Sequence, residues 1–519
     1  MQSLVAVPVI LPLLAAGMKL AIGGRLRRLQ SMISVLTLAG VLAVSLVLLV
    51  AADGGGPVVA NVGGWPATFG ICLVADRLST LMLVVSSAVT LCVMVYSIAS
   101  AYADQEHDAP LAIFHPAYLI MVAGVSDAFL AGDLFNLFVA FEMLLGGSYV
   151  LLTFGGTQAR IRAGATYVVV GLVSSMLFLI ALAIAYAATG TVSMALLAER
   201  FATLPGHIKL LVELTLLIVF AVKAAVFPMS AWLPDSYPTA PATATAVFAG
   251  LLTKVGIYSI IRLEALLFPG GPVSTLLMWA ALATMLFGIL GAVAQTDIKR
   301  MLSFTLVSHI GYMVFGVALS TVLGMAGAVF YVVHHITVQT SLFLVTGLIE
   351  RRTGSTSADR LGGLMKAAPL VAVLFFVPAM NLSGIPPLSG FLGKLALLQA
   401  GVADGGAPAL TLVAGSLLTS LLTLYAMAKA WGKAFWRAEP PGAVPPLGAV
   451  LESEEATGEE PVVTTAALPR PMVGATAALV VLSLALTVLA GPLSALAERT
   501  GAELLDREPY IAAVLGGDR

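Results

Sequence analysis

The feature that most constrains this chain is a succession of apolar stretches, each long enough to cross a membrane. Of its 519 residues, 59% are hydrophobic and only 10% are charged, whereas a soluble domain carries roughly 25% charged residues. A helix needs about 20 mostly apolar residues to span the hydrocarbon core of a bilayer. The sequence therefore predicts an all-α polytopic membrane protein.

Hydropathy windows predict about 14 transmembrane helices. They lie near residues 2–22, 31–52, 72–100, 111–127, 129–153, 163–189, 207–233, 239–267, 274–295, 300–320, 322–350, 367–402, 408–436 and 470–494. The first stretch has no basic start and no clear small-residue cleavage site, so we interpret it as a spanning helix and not as a signal peptide.

Basic residues in the connecting loops predict the orientation, because cytoplasmic loops are enriched in Lys and Arg. On one side lie Lys19, Arg25, Arg27, Arg28, Arg160, Arg162, Lys299, Arg300, Arg351, Arg352, Arg360, Lys366, Lys433 and Arg437. We expect this side to be cytoplasmic in the plasma membrane of a prokaryote, with both termini outside. On the opposite side, Arg262 and Glu264 are expected to be interfacial anchors near a helix end.

A polar segment and the cysteines limit other functions. Residues 438–471 are rich in Pro and Glu and are expected to form a flexible cytoplasmic loop, interpreted as a spacer. Cys72 and Cys92 show neither metal-ligand spacing nor a disulfide framework. The net charge of -1 gives no reason to expect a nucleic-acid partner. We expect no metal and no cofactor.

Four charged residues fall in the middle of predicted helices: Glu142, Lys223, Lys254 and Lys394. One charge at a helix centre costs about 2.5–3.5 kcal/mol on insertion scales, so four would cost on the order of 10 kcal/mol. They must be paired, hydrated or neutral. Structural salt bridges, a snorkelling lysine or lysines bound to carbonyls are the simpler explanations. The pattern favours an ion or proton route inside the bundle.

Two of these lysines lie close to prolines that break a helix. Pro228 follows Lys223, and Pro386 and Pro387 precede Lys394. Proline removes a backbone donor, and non-helical backbone at membrane depth is tolerated only where protein or water covers it. Interrupted helices at corresponding positions of two repeats are the best sequence indication of a transport site. The spacing of the two breaks suits a repeat of about five helices.

Histidines add groups that can change charge near neutral pH. His334 and His335 are adjacent in one apolar helix, and His309 lies in the preceding one. A haem site is disfavoured, because His309 is the only other histidine at mid-membrane. Hydrogen bonds between helices are the alternative role for all three. The pair His334 and His335 is therefore a candidate part of the proton route.

These segments together carry a resemblance to a known family. "GDLFNLFVAFEMLLGGSYVLL", "VKAAVFPMSAWLPDSYPTAPATATAVFAGLLTKVGIYSIIRL", "DIKRMLSFTLVSHIGYM" and "LSGIPPLSGFLGK" resemble the antiporter-like family. That family is shared by the membrane arm of respiratory complex I and the Mrp-type multisubunit Na+/H+ antiporters. The resemblance covers roughly residues 70–430, and the first segment and the length are most similar to the D-type subunits of the Mrp antiporters.

The resemblance implies fourteen helices and two inverted five-helix repeats, each with a broken helix. It divides the chain into a three-helix segment (1–110), the first repeat (111–267), the second repeat (274–436) and a cytoplasmic loop with the last transmembrane helix (437–519). Glu142 and Lys223 would be the coupled pair and Lys254 the central relay. His334 and His335 would lead to the distal Lys394. Gln339 stands where relatives often have a lysine, which puts a relay step there in doubt.

The implied function is a proton-translocating subunit of a multisubunit Na+/H+ antiporter, a secondary transporter and not an enzyme. Its partners would be other membrane subunits, protons, Na+ and the lipid bilayer. One alternative is the proton-pumping subunit of a complex I or membrane-bound hydrogenase type redox complex. Another is a solute carrier or channel working alone, which the line of lysines disfavours.

Overall fold

The computed structural model describes residues 1–23, 26–103, 111–438 and 468–516. Arg25 lies outside the described residues. Residues 439–467, which make up most of the predicted cytoplasmic loop, lie outside them as well. The described residues are mostly helical, which confirms the predicted all-α polytopic class.

The N-terminal segment consists of helices and one short hairpin. Its elements are α1 (Gln2–Val5), α2 (Val7–Ile22), α3 (Arg27–Gly55), β1 (Val58–Asn61), β2 (Cys72–Ala75) and α4 (Arg77–Ala103). The strands pair antiparallel, with Val58 opposite Ala75. The sequence analysis did not predict this hairpin.

The next part of the chain ends in a helix with two π-helical turns. It contains α5 (Leu111–Leu130), α6 (Leu134–Thr153), α7 (Gln158–Thr189), α8 (Met194–Arg200), α9 (Gly206–Ala224), α10 (Trp232–Ser236), α11 (Ala242–Val247) and α12 (Thr253–Arg262). The π turns are Phe248–Leu252 and Leu263–Leu267.

The remaining helices include a long one, α15, that is buried along almost its whole length. They are α13 (Ser274–Ala294), α14 (Ile298–Ala318), α15 (Val322–Thr353), α16 (Leu364–Ala367), α17 (Pro369–Ser383), α18 (Ser389–Asp404), α19 (Ala407–Trp431), α20 (Arg470–Val488), α21 (Ala490–Leu505) and α22 (Glu508–Leu515). The last two were not predicted.

Eleven helices of the described part are long and apolar enough to cross a membrane. Two shorter apolar helices, Val7–Ile22 and Pro369–Ser383, accompany them. The number of fourteen spanning helices stays a prediction.

Two helices are interrupted at the predicted prolines. Helix α9 ends at Ala224, and Ala225 takes a left-handed conformation with φ 60°. Pro228 lies in the non-helical segment before α10. Helix α17 ends at Ser383, Gly384 has φ 85°, and Pro386 and Pro387 precede α18. In both cases a left-handed residue ends the helix before the proline is reached.

Local geometry recurs between the two central parts of the chain. In each part an Asp caps one helix and pairs with a Ser, a Thr caps the next helix, and a left-handed Gly ends it. The corresponding residues are Asp133 and Asp297, Ser193 and Ser357, Thr157 and Thr321, and Gly190 and Gly354. The same number of residues separates the members of every pair, as is expected of a repeat. The inverted relation and the domain bounds stay predictions.

The predicted cytoplasmic loops contact one another at one end of the bundle. Arg300 donates to Asp235 at 2.9 Å, Arg160 donates to the Thr239 carbonyl at 3.3 Å, and Lys433 donates to Asp359 at 2.6 Å. Helices α1 and α22 both contact β1, at the other end. Both termini therefore lie on the face opposite these basic loops, and which face is cytoplasmic stays a prediction.

Two basic residues that we expected at the membrane surface are buried. Arg262 is 4% exposed and forms an ion pair of 2.5 Å with buried Asp76, so its prediction as an interfacial anchor is wrong. Its partner precedes α4, far away in sequence. Lys19 is fully buried and donates to Ser34, whose hydroxyl lies 2.8 Å from Nδ1 of His115.

The Arg262–Asp76 pair gives a stability prediction. Asp76→Asn keeps an oxygen that can cap the turn at Ser79 but leaves Arg262 buried without a counter-charge. Losing one partner of a buried pair costs about 3–5 kcal/mol. We expect a clearly lower Tm for the detergent-solubilised protein, measured by thermal unfolding. Arg499→Ala is the control, since it removes an ion pair to Asp53 whose arginine is 48% exposed, and an equal loss of Tm in both variants would contradict the prediction.

Candidate functional site

Glu142, Ser175 and Lys223 form a hydrogen-bonded chain across three helices. Ser175 of α7 donates to the Glu142 carboxylate of α6, and Nζ of Lys223 in α9 donates to the Ser175 hydroxyl at 3.1 Å. No ion pair within the described residues includes Lys223. The acid and the lysine are thus connected through a hydroxyl and not by direct contact.

The helix break determines where Lys223 lies. We expected it in mid-helix, but it occupies the last turn of α9, two residues before left-handed Ala225. It is 8% exposed, and its Nζ lies 5.4 Å from the centre of the Phe141 ring. The negative face of an aromatic ring stabilises a nearby cation. Lys223 is therefore buried and lies where the helical backbone is interrupted.

A small cavity reaches Lys223 from the side of α7. Its polar lining comes from Lys223, Ser174, Tyr167 and Trp232, and its volume is about 30 Å³. That volume accommodates one or two water molecules. The Ser174 hydroxyl has no hydrogen-bond partner within the described residues, so a water here would have partners on both sides.

Lys254 lies deeper and is not connected to the first chain. It is fully buried at the start of α12, below the π turn Phe248–Leu252, and its Nζ donates to the Ala249 carbonyl at 2.5 Å. No ion pair of the described part includes it. A carbonyl released by the π turn is thus its observed partner.

The histidines form a buried cluster with two tyrosines. Nδ1 of His309 lies 2.8 Å from the Tyr331 hydroxyl, and the rings of His309 and His335 are 5.3 Å apart. Nδ1 of His334 lies 3.0 Å from the Ser389 hydroxyl, at the start of α18. Within the described residues, neither ring nitrogen of His335 has a hydrogen-bond partner.

The distal lysine occupies the second broken helix. Lys394 lies in the second turn of α18 and not in mid-helix as expected, and it is 5% exposed. Its Nζ donates to the carbonyls of Leu382 and Ser383 at 3.1 and 3.2 Å, at the end of α17. It also lies 5.0 Å from the centre of the Tyr312 ring. The break thus supplies the acceptors that hold this ammonium group.

The structure brings the predicted residues together in two groups. The first contains Glu142 and Lys223, and the second contains His334, His335 and Lys394. Lys254 contacts neither group by a hydrogen bond, although its charge lies within electrostatic range of His335. The sequence analysis missed Ser175, Tyr312 and Tyr331. Serines and tyrosines are common in apolar helices, so only their contacts in the structure identify these three as part of the site.

Gln339 lies on α15, one helical turn after His335 of the second group. It is fully buried, and its amide nitrogen donates to the Leu302 carbonyl at 2.8 Å. No cluster of three or more His, Cys, Asp or Glu residues suited to a metal occurs in the described part.

The chain is similar to proteins of known sequence. Residues 131–423 match the family described as "NADH:quinone oxidoreductase/Mrp antiporter, TM". The chain is 42% identical to the D subunit of a Na(+)/H(+) antiporter from Alkalihalophilus pseudofirmus, over 84% of this chain and 87% of the relative. It is 35% identical to the protein of the same name from Bacillus subtilis, over 85% and 88%.

Solved structures show the same fold. A chain in the structure of the Mrp complex from Dietzia sp. DQ12-45-1b has a TM-score of 0.89 and 35% identity, with 99% of this chain and 100% of that chain covered. A chain of respiratory complex I from Thermus thermophilus has a TM-score of 0.78 and 26% identity, with 97% and 99% covered. This chain belongs to the NADH:quinone oxidoreductase/Mrp antiporter transmembrane family.

Proposed function

We propose that this chain is the proton-translocating subunit of a multisubunit Na+/H+ antiporter and that it works as a secondary transporter. The observation that carries the proposal is the Glu142–Ser175–Lys223 chain beside a helix break, in a protein similar to the D subunit of a Na+/H+ antiporter. Its partners are the other membrane subunits of the complex. The basic loops face the cytoplasm and both termini lie outside the cell membrane.

The first step of the proposed mechanism takes place at Lys223. Burial disfavours the charged lysine, and the carboxylate reached through Ser175 favours it. While the chain is intact, Lys223 keeps its proton as an ammonium group, and the Ser175 hydroxyl links this group to the Glu142 carboxylate. Separation of the pair removes this stabilisation, and Lys223 then releases its proton to water in the adjoining cavity.

The second part of the route runs from Lys254 to Lys394. Lys254 has no direct contact with Lys223, so water must bridge this step. The buried rings of His335, His309 and Tyr331 then lead towards His334, and Tyr312 lies beside Lys394. Backbone carbonyls and not carboxylates hold Lys254 and Lys394, which keeps the proton on each lysine exchangeable.

A redox-driven pump is the second candidate function, favoured by the 26% identity to a complex I chain. The same proton route would then be driven by electron transfer in a partner subunit. Purification of the assembled complex followed by measurement of iron separates the two candidates. Iron in stoichiometric amounts would favour the redox pump, and its absence together with Na+-driven proton release would favour the antiporter.

The coupled pair gives the first activity prediction. We expect Glu142→Ala and Lys223→Ala each to abolish Na+/H+ antiport in everted vesicles, because the first change removes the charge that stabilises the ammonium group and the second removes the group that carries the proton. The complex should still assemble, as measured by co-purification of its subunits. Lys366→Ala, at an exposed lysine of α16, is the matched control and should retain antiport. Antiport by either of the first two variants would refute the assignment.

Ser175 gives a sharper prediction, because a salt bridge would not need it. A hydrogen bond to a charged group contributes about 1.5–3 kcal/mol, so we expect Ser175→Ala to lower the initial antiport rate by roughly 10- to 150-fold. The control is Ser45→Ala, since Ser45 is also buried but donates to a carbonyl of its own helix. An unchanged rate for Ser175→Ala would show that Glu142 and Lys223 couple without the hydroxyl.

A further inference from the structure

Two buried carboxylates lie between α9 and the end of the π turn that follows α12, and neither belongs to the proposed proton route. Glu213, two turns into α9, is 0% exposed, and neither of its carboxylate oxygens has a hydrogen-bond partner within the described residues. Glu264 lies in the π turn Leu263–Leu267 and is 3% exposed. Its Oε1 has no partner in the same part of the chain. The two carboxylates interact electrostatically.

A surface loop closes over Glu213. The backbone at Gly271 lies so near Oε1 of Glu213 that a Cβ atom there would clash with it. The Phe268 carbonyl oxygen also lies close to this Cβ position, and it accepts a hydrogen bond from the backbone N–H of Gly271 at 3.0 Å. Gly270 and Pro272 of this loop are exposed. Glu213 is therefore covered by the backbone of this loop, at the end of the bundle opposite the basic loops.

Most basic side chains at this end are engaged elsewhere. Arg262 pairs with Asp76, Arg77 pairs with Glu503, and Arg507 reaches the Ala198 and Leu266 carbonyls. Lys209 lies one turn before Glu213 and interacts with it electrostatically, but it is only partly buried and its Nζ lies 6.0 Å from the Phe268 ring centre. Three further charged or titratable groups here, Glu199, Arg200 and His207, are exposed, and Tyr510 is buried beside the Arg262 guanidinium.

Two buried carboxylates without donors are strongly unfavourable as free anions. A proton on one of them or a small cation between them removes this cost. The available ligands are oxygens only, which suits hard cations. A single positive charge, together with the nearby Lys209, neutralises the pair.

We propose that Glu213 and Glu264, with the Phe268 carbonyl beside them, form a binding site for one monovalent cation, and that protons compete for it. The role of this site in exchange rests on the proposed antiport function. Lys223 lies ten residues after Glu213 on the same helix, which is about 15 Å along the axis. Cation binding at Glu213 and proton release at Lys223 thus involve the same helix.

The test measures binding and not transport. The purified complex is unfolded thermally in sodium chloride and in choline chloride of equal ionic strength. A ligand that binds only the folded state raises the Tm. We expect Na+ to raise the Tm, and to do so more at alkaline than at acidic pH because fewer protons then compete. Glu213→Gln and Glu264→Gln should reduce this Na+-dependent shift, while Glu199→Gln, an exposed glutamate at the same end, should leave it unchanged.

The outcomes are distinct. Absence of a Na+-dependent shift in the unmodified complex would overturn the site, as would a full shift in both glutamine variants. If Glu213→Gln does not assemble, Glu264→Gln and Glu213→Asp carry the same comparison. A complex that shows the shift but no antiport would refute the proposed function and leave the cation site standing.

Discussion

The constraint on which the rest depends is the cost of placing an ammonium group in a medium of low dielectric constant. Lys223, Lys254 and Lys394 are all nearly or fully buried, and none is in an ion pair within the described residues. Each is held by a neutral oxygen, from Ser175, Ala249 or the end of α17. A direct carboxylate partner would bind the charge more strongly and would make release of the proton harder.

Irregular helix backbone supplies the oxygens that hold Lys254 and Lys394. A continuous α-helix uses its carbonyls internally, so a buried lysine would find no acceptor on it. Where α17 ends at Ser383, two carbonyls become available to Lys394, and the π turn before α12 releases one to Lys254. The prolines that follow these helix ends have no backbone N–H to donate, so a continuous α-helix cannot form across them. Backbone irregularity and buried charge are therefore one structural feature, because each makes the other tolerable inside the membrane.

The sequence predicted this feature from two signals, charges and prolines within apolar runs. These signals locate Lys223, Lys394 and both breaks, because each is improbable in a helix that only faces lipid. The same two signals include Glu213, a charged residue in the apolar run of α9 that the sequence analysis did not single out. Ser175 carries no such signal. The prediction for Arg262 was wrong because the sequence shows only that this residue is near a helix end. Its partner Asp76 is far away in sequence and comes close only in the folded chain.

The recurring caps show which parts of the two halves differ. At the spacing that relates Asp133 to Asp297 and Gly190 to Gly354, Tyr167 corresponds to Tyr331, Glu142 to Leu306 and Ser175 to Gln339. The frame recurs, but the acid and its connecting hydroxyl do not. Among the three buried lysines, only Lys223 of the first half is thus linked through a hydroxyl to a carboxylate. Under the proposed mechanism, proton release is controlled at Lys223, while the second half, where carbonyls hold Lys394 and histidines lie nearby, conducts the proton that it receives.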